Sequence, residues 1–357
     1  MSFAPLLCAL ALALALAFRR HRAAQVLAVV ALAQVALTQA GVVGARAASA
    51  ATMFAPWLFL VAMVMPEPPL RSRRMLTFLG LLGITAWLVT AAPEHVWHGL
   101  EDALPLGFAS ARPARVAGVV CLTAMLVAVG RWLHRRAPLD LALTGALAAA
   151  ACAWLDVGGI DLAGWLLAAA MIAALGVVYS SWRLAFLDAL TGLPNRRALD
   201  ETLARLSGNY ALAMVDVDHF KQFNDKHGHD AGDRVLIEVA QVLAKTRGAS
   251  AFRFGGEEFC LLFRRPEGAV EACEETRAAI ESTSVALPRK PVAKAKGNGG
   301  KPAGGDKSKS AQRWVEVTAS IGVAVRDAKR RNAAEVLKAA DQCLYKAKGK
   351  GRNQVVA

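Results

Sequence analysis

The hydrophobic positions of this chain follow two patterns, and the change from one to the other falls near residue 182. The first part contains long runs of alanine, leucine and valine with few polar breaks. Seven apolar segments can be drawn in it, at roughly 2–18, 23–43, 50–65, 75–92, 114–130, 139–155 and 162–182. Most approach the ~20 residues that a helix needs to cross a bilayer. We therefore predict an all-α polytopic membrane region of about seven helices.

The remaining residues, 183–357, alternate short apolar strands with amphipathic helices. The stretches "YALAMVDVD" and "WVEVTASIGVAV" are typical of strands, whereas "DRVLIEVAQVLAKTR" places its apolar residues on one helical face. A hairpin is predicted around Gly255-Gly256, because glycine supplies the positive φ that a tight turn demands. This order predicts an α/β domain with helices packed on a mostly antiparallel sheet.

The arginines of the first part indicate how its segments are oriented. This part contains twelve arginines, no lysine and seven acidic residues. The arginines that follow odd-numbered segments are Arg19, Arg20, Arg22, Arg71, Arg73, Arg74, Arg131, Arg135, Arg136 and Arg183. Of these, Arg183 is the first residue of the second part, and the other three arginines of the first part, Arg46, Arg112 and Arg115, lie in the even-numbered gaps. Because cytoplasmic loops carry the excess of basic residues, the N-terminus is predicted outside and the soluble domain in the cytoplasm. The basic cluster after the first segment also argues against a cleaved signal peptide.

One stretch of the second part, residues 288–313, has a composition that cannot bury a core. It is rich in glycine, lysine and proline and carries eight basic residues against one acidic residue. We predict a disordered basic insertion here. Without it the charge of the second part falls from +9 to +2, so the net charge of +14 gives little support for nucleic-acid binding. Attraction to anionic membrane lipid is the better use for such a segment.

Four acidic residues define the candidate chemistry of the second part. Asp216 and Asp218 end the "MVDVD" strand, and Glu257 and Glu258 stand at the predicted hairpin. Two glutamates on an isolated hairpin are compatible with a solvated turn that has no chemical role. Strand ends and a neighbouring hairpin meet at one sheet edge, however, and carboxylates gathered there are the hard oxygen ligands that magnesium prefers.

Polar residues after the strand offer groups that suit a nucleotide. Lys221 and the backbone N–H groups of "DHFKQFND" could contact phosphates. Asn224 and Asp233 supply an amide and a carboxylate, which complement the O6 acceptor and the N1–H and N2–H donors of guanine.

Five stretches of the second part stand in a recognisable order: "DALTGLPNRR" (188–197), "DVDHFKQFNDKHGHDAGD" (216–233), "RFGGEEF" (253–259), "SIGVA" (320–324) and "ADQCLYKAKGKGRN" (340–353). Together they resemble the motifs of the GGDEF family of diguanylate cyclases, over about 185–357. The resemblance implies a sheet with flanking helices like that of nucleotidyl cyclases and polymerase palms. It also implies that two GTP molecules are joined into cyclic di-GMP and pyrophosphate by a head-to-head homodimer that holds one GTP in each subunit.

The resemblance also implies roles for individual residues. The positions that match magnesium ligands, with manganese as an alternative ion, are Asp216, the Val217 carbonyl and Glu257. Glu258 matches the acceptor of the 3′-hydroxyl proton. The remaining positions that match substrate contacts are Asn224 and Asp233 on guanine, His229, and, around the phosphates, Phe220, Lys221, Lys348 and Arg352.

The sequence therefore predicts a transmembrane, sensory region at 1–182 and a GGDEF diguanylate cyclase domain at 183–357, in the inner membrane of a bacterium. One departure from the family pattern stands at Thr246-Arg247-Gly248-Ala249, where a product-inhibition site would require Arg-x-x-Asp. Two alternatives stay open: an inactive domain of the same type that binds GTP or a protein partner, and a transporter. The spans contain few of the ionisable residues that usually mark a transport path.

Overall fold

The computed structural model describes residues 3–37, 54–65, 72–90, 113–154, 162–287, 313–327, 330 and 332–357. The chain divides into two compact units, Met1–Arg183 and Leu184–Ala357. Most of the predicted basic insertion lies outside the described residues, but Arg313, its last residue, already belongs to a β-strand.

The described part of the first unit is helical. Its helices are α1 (Ala4–Ala17), α2 (His21–Leu37), α3 (Phe54–Val64), α4 (Arg73–Thr90), α5 (Pro113–Arg135), α6 (Pro138–Trp154) and α7 (Leu162–Phe186, which extends into the second unit). Each of them overlaps one of the seven apolar segments. Within the described residues, only Ala163–Phe186 is both long and apolar enough to cross a membrane. Four others, including Ala4–Ala17 and Phe54–Val64, are apolar but shorter. Length and composition thus identify one candidate span.

Polar contacts in the first unit show that α2 and α7 run in opposite directions. Arg20, just before α2, donates to the carbonyl of Ser180 near the end of α7, at 3.2 Å. Gln34, near the end of α2, donates to the carbonyl of Ala163 at the start of α7, at 2.7 Å. The contacts at both ends require an antiparallel pair.

A buried ion cluster joins the start of α2 to the turn between α5 and α6. Asp140 lies 2.9 Å from the Nε of Arg131 and 3.6 Å from the guanidinium of Arg22. Arg22 also donates to the carbonyl of Met65, which follows α3. Because a buried charge that loses its partner is strongly destabilising, these contacts hold the ends of four helices together.

The second unit has helices on both faces of a sheet. Its elements are α8 (Arg196–Ala204), β1 (Ala211–Val217), α9 (Phe220–His227), α10 (His229–Leu243), β2 (Ala249–Gly255), β3 (Glu258–Phe263), α11 (Ala269–Glu281), β4 (Ser284–Leu287), β5 (Arg313–Glu316), β6 (Ala319–Val325), α12 (Ala333–Gly349) and β7 (Val355–Val356). The main sheet has the order β2-β3-β1-β6-β7, and β4 pairs with β5 separately. Only the β6–β7 pair, among the strands of the described residues, is parallel. The predicted α/β fold with a mostly antiparallel sheet is confirmed.

Strand β1 lies at the centre of the sheet, and its side chains are buried on both faces. Val215 and Val217 belong to a core formed with α10 and α11, whereas Leu212 and Met214 belong to a core formed with α8 and α12. Side chains of a strand alternate between faces, so Asp216 belongs to the face of Leu212 and Met214. The alternation of side chains along β1 thus places the carboxyl of Asp216 on the α12 side of the sheet.

Helix α12 packs very closely on the sheet. A Cβ atom added to Gly322 of β6 would overlap backbone atoms of Ala340 and Leu344 on α12. Glycine is therefore required for this approach. Asn332 and Glu335 form a capping box that fixes where α12 begins. The end of this helix is thus positioned by its start and by its contact with β6.

Candidate active site

The acidic residues of the site are brought together by strand register. In the antiparallel pair of β1 and β3, Asp216 stands opposite Glu258. Directly opposite residues share a face and have Cβ atoms about 5 Å apart. The turn between β2 and β3 contains Gly256 with φ of 52°, so one of the two predicted glycines takes the positive value. The carbonyl of Glu257, in the same turn, accepts from the N–H of Val217 at 3.3 Å.

The cation of the site comes from the last turn of α12. The Nζ of Lys348 lies 2.8 Å from Oδ2 of Asp216, and the two residues are 132 positions apart in the sequence. Asp216 is 8% exposed, so its carboxylate is largely removed from water. An ion pair with this geometry compensates part of the cost of that burial.

Burial and neighbouring charges raise the pKa of two carboxyls. Burial raises the pKa of Asp216, the hydrogen bond and charge of Lys348 oppose that change, and the charges of Glu257 and Asp218 add to it. Burial also raises the pKa of Glu258, and the charge of Asp216 acts in the same direction. Asp216 and Glu258 thus interact with each other and with neighbouring carboxyls at one strand end, and Lys348 is the cation that pairs with Asp216.

This donor set fits a divalent cation of the magnesium type. The two carboxylates and the carbonyl, at the end of the central strand and the adjoining hairpin, are oxygen donors. Mg²⁺ characteristically completes its shell with water and substrate phosphates. The described residues contain no group of three or more His, Cys, Asp and Glu side chains arranged to hold a metal. Such an ion would therefore depend on oxygen atoms from outside the side chains. Asp216, Glu257 and the Val217 carbonyl are the residues that would hold it.

Asp218 has a structural position that sequence reasoning did not identify. Its two oxygens accept from the hydroxyls of Ser320 and Thr318 at 2.7 and 2.8 Å and from the N–H of Asn353 at 3.1 Å. It thereby ties the end of β1 to β6 and to the segment after α12. Arg352 directly precedes Asn353, so the backbone places this predicted phosphate contact beside the same strand end.

Helices α9 and α10 form a second part of the site. Helix α9 begins at Phe220, three residues after β1 ends, and its Asn224 lies against α10. A Cβ atom added to Gly232 of α10 would overlap the side-chain oxygen of Asn224. That oxygen is buried and has no hydrogen-bond partner among the described residues. A buried polar atom without a partner is costly, so this atom marks a polar position between α9 and α10 that the fold leaves unsatisfied.

The other predicted contacts lie around these helices. Phe220 is buried, whereas Lys221, His229 and Asp233 are not. Asp233 stands one position after Gly232 on α10.

The predicted site residues thus form two groups in the structure. Strand register, the hairpin and the end of α12 bring together Asp216, Val217, Glu257, Glu258 and Lys348. Asn224 and Asp233 lie apart from them on the adjoining helices α9 and α10. The short connection from β1 to α9 joins the two groups.

A clamp on the hairpin is the second feature that the sequence interpretation missed. Arg253 donates to Asp188 at 2.7 Å and, through Nε and Nη2, to the carbonyl of Gly256 at the hairpin tip. Its own N–H donates to the carbonyl of Pro194. Arg253 thus fixes the turn of Glu257 to the segment that opens the domain. Arg253 and Asp188 each stand within one of the five motifs, but their pairing across 65 positions is a tertiary contact.

The sequence of the second unit matches the family described as "Diguanylate cyclase, GGDEF domain" over residues 185–295 and 306–354. Diguanylate cyclase DgcP of Pseudomonas aeruginosa is 36% identical over 184 residues, which cover 48% of this chain and 24% of DgcP. An uncharacterized membrane protein of Staphylococcus epidermidis is 32% identical over 181 residues, 47% of this chain and 45% of that protein. The chain thus aligns with less than half the length of these relatives.

A solved structure is also similar. The GGDEF domain of DgcB from Caulobacter crescentus, crystallised in complex with c-di-GMP, is 32% identical, with 48% of this chain and 93% of that chain covered and a TM-score of 0.40. The family match itself, at residues 185–295 and 306–354, identifies a GGDEF domain in the second unit.

The Asp188–Arg253 clamp predicts how the second unit responds to acid. Burial alone would raise the pKa of Asp188, but hydrogen bonds from Arg253 and Thr191 hold it below its ordinary value. The unfolded chain therefore binds this proton more readily, so the contribution is present above the unfolded pKa of about 4 and is lost as pH falls through the folded value. We expect Asp188→Asn to lower the free energy of unfolding of the Leu184–Ala357 fragment by about 1–3 kcal/mol at pH 7.

Urea unfolding at pH 7 and pH 3 measures this effect. The difference between wild type and Asp188→Asn should shrink at pH 3. Asp200, which is exposed on α8, gives the matched control, and Asp200→Asn should change stability by less than about 0.5 kcal/mol. An equal loss for Asp188→Asn at both pH values would contradict the role of its charge.

Proposed function

We propose that this protein is a diguanylate cyclase that condenses two GTP molecules into cyclic di-GMP and pyrophosphate. The observation that carries the proposal is the register of Asp216 opposite Glu258, with Lys348 at 2.8 Å from Asp216. In-line attack of a 3′-oxygen on an α-phosphorus needs positioning and neutralisation of charge more than covalent chemistry from the protein. Carboxylates that would hold a divalent cation, together with Lys348, would supply both.

The two hairpin glutamates divide the work. Glu257, with Asp216 and the Val217 carbonyl, would hold Mg²⁺ or Mn²⁺, and the bound ion would neutralise charge on the phosphates. Glu258 accepts the proton of the attacking 3′-hydroxyl. The raised pKa of Glu258 makes it a stronger base than a fully solvated carboxylate, which favours that role. Lys348, Arg352 and Lys221 bind the phosphates.

The base is held between α9 and α10. The amide of Asn224 and the carboxylate of Asp233 contact guanine, and Asp233 accepts from its N1–H and N2–H groups. Adenine presents an acceptor at N1, which Asp233 would repel, so this arrangement selects GTP over ATP. Phe220 supports the pocket from the buried side, and His229 lies at its rim.

Each subunit holds one GTP, so the reaction requires a homodimer in which two sites face each other. The first unit is proposed to be a multi-pass region in the inner membrane of a bacterium, with its N-terminus outside and the second unit in the cytoplasm. The buried Asp140 cluster supports this orientation, because it gathers the arginine-rich helix ends that the basic-residue pattern places on the cytoplasmic side. Anionic lipid is the proposed partner of the basic insertion.

We expect purified full-length protein in detergent to convert GTP into cyclic di-GMP in the presence of Mg²⁺, and to turn over ATP at least tenfold more slowly. Glu258→Gln should lower turnover by at least 100-fold, since general-base catalysis contributes about 10²–10⁴. Product formation is followed by chromatography of the nucleotides.

Glu267→Gln, an exposed glutamate in the turn after β3, is the matched control and should keep full activity. Wild-type protein that binds GTP without forming product would instead identify an inactive receptor. Normal turnover by Glu258→Gln would remove this residue from the role of base.

The contacts between the segment after α10 and helix α11 lead us to expect weak inhibition by product. Thr246 pairs with Thr276 at 3.0 Å where the family's inhibitory arginine would stand, and Arg247 pairs with Glu275. Arg277, near where a secondary inhibitory arginine of the family would sit, is already engaged by two glutamates of α11 and by Asn353. Progress curves with and without continuous removal of cyclic di-GMP should therefore coincide, apart from competition with GTP. Strong inhibition that excess GTP fails to relieve would reveal a product site elsewhere.

The continuity of helix α7 suggests a way for the membrane region to control activity. It runs from Leu162 to Phe186, so Trp182 lies inside a helix that leads to the start of the GGDEF domain. We infer that rotation of this helix shifts the population of productive dimers. Inserting one to four alanines after Trp182 rotates the GGDEF domain by about 100° per added residue. Activity should vary with insertion phase, whereas a flat response would indicate a flexible joint.

A further inference from the structure

Helix α12 presents a stripe of three side chains along the candidate site. Asp341, Tyr345 and Lys348 lie within an arc of about 60° on the helix, because successive residues are about 100° apart. Lys348, at one end, contacts Asp216. Asp341, at the other, lies close enough to Glu258 for their charges to interact. Along the helix axis Tyr345 lies between these two side chains, and around the axis it stands at the solvent-facing margin of the arc.

Tyr345 is unusually exposed for its position. Its exposed fraction is 79%, the highest among the large hydrophobic side chains of the described residues. The same helix buries Val336, Ala340, Leu344 and Ala347 against the sheet, so an apolar face was available to it. A single exposed aromatic residue on a surface usually needs no explanation. One placed between two groups of an active site does, since aromatic side chains gain most when a partner covers them.

The reaction restricts what covers Tyr345. This step rests on the proposed function, in which each subunit holds one GTP and the GTP of the partner subunit faces the site that contains Glu258. The charges along the stripe restrict how that nucleotide approaches: its phosphates are repelled by Asp341 and Glu258, so its sugar and base are the parts that can come close. Tyr345 carries no charge, and its ring offers a flat apolar surface that suits a sugar or a base.

We propose that Tyr345 contacts the guanosine portion of the GTP that the partner subunit brings to the site. The ring covers this portion only when the two subunits face each other. Tyr345 thereby positions the incoming nucleotide over Glu258 and contributes nothing to the binding of GTP by its own subunit. Turnover depends on it, whereas the affinity of each subunit for GTP is independent of it.

Full-length protein in detergent tests this separation. Tyr345→Ala should lower kcat at saturating GTP at least tenfold, while calorimetry with the α,β-methylene analogue of GTP should give a Kd within twofold of wild type. Tyr345→Phe should retain at least a third of kcat, because the ring remains. Trp314→Ala is the matched control: this exposed aromatic residue lies on β5, outside the stripe, and its variant should keep wild-type kcat and Kd.

Each other result overturns the inference. If Tyr345→Ala keeps kcat within twofold, the ring has no role in turnover. If Kd rises in step with the loss of kcat, Tyr345 contacts the substrate of its own subunit. If Tyr345→Phe loses as much as Tyr345→Ala, the hydroxyl is the working group. If the wild-type protein shows no turnover, the proposed function is refuted together with the inference that rests on it. In the three results above the wild type does turn over GTP, so they refute the inference alone.

Discussion

The ion pair between Lys348 and Asp216 is the interaction on which the rest of the site depends. Asp216 ends the central strand of the sheet with little contact to water, and a carboxylate in that position needs a cation beside it. Lys348 reaches it only because α12 lies against β6 without a side chain between them at Gly322. The same helix then carries Asp341 toward Glu258. One close helix–sheet contact thus sets where Lys348 and Asp341 lie relative to the carboxyls of Asp216 and Glu258, which strand register brings together.

Much of the second unit could be predicted from its sequence, because apolar residues recur with different periods in strands and in helices and because the hairpin contains two glycines. The sequence could not distinguish the roles of Asp216 and Asp218, which stand two positions apart in one motif. Asp218 is satisfied by Ser320, Thr318 and Asn353, each at least 100 positions away. Asp216 instead meets Lys348. Such partners follow from the topology of the sheet and from where α12 ends, and neither is encoded locally.

For the first unit, prediction from the sequence is limited in a different way. Its apolar segments predicted the positions of helices correctly, since a helix in an apolar environment needs only a run of apolar residues. Several of these helices, such as Ala4–Ala17, are shorter than the ~20 residues of a full span, so their number does not translate into a number of crossings. The buried cluster of Arg22, Arg131 and Asp140 could not be predicted, because the arginines were interpreted only as markers of orientation. In the structure they also hold helix ends together.

The central claim is that the end of β1 binds a divalent cation together with GTP. Electron paramagnetic resonance of Mn²⁺, titrated into full-length protein with the α,β-methylene analogue of GTP, measures that binding directly. The account predicts tight, analogue-dependent binding by the wild type and a loss of at least tenfold in Mn²⁺ affinity for Asp216→Asn, since metal affinity falls about 10–100-fold even when a residue that only supports a ligand is lost. Equal Mn²⁺ affinity in the two proteins would contradict the assignment of Asp216 and, with it, the account of the site.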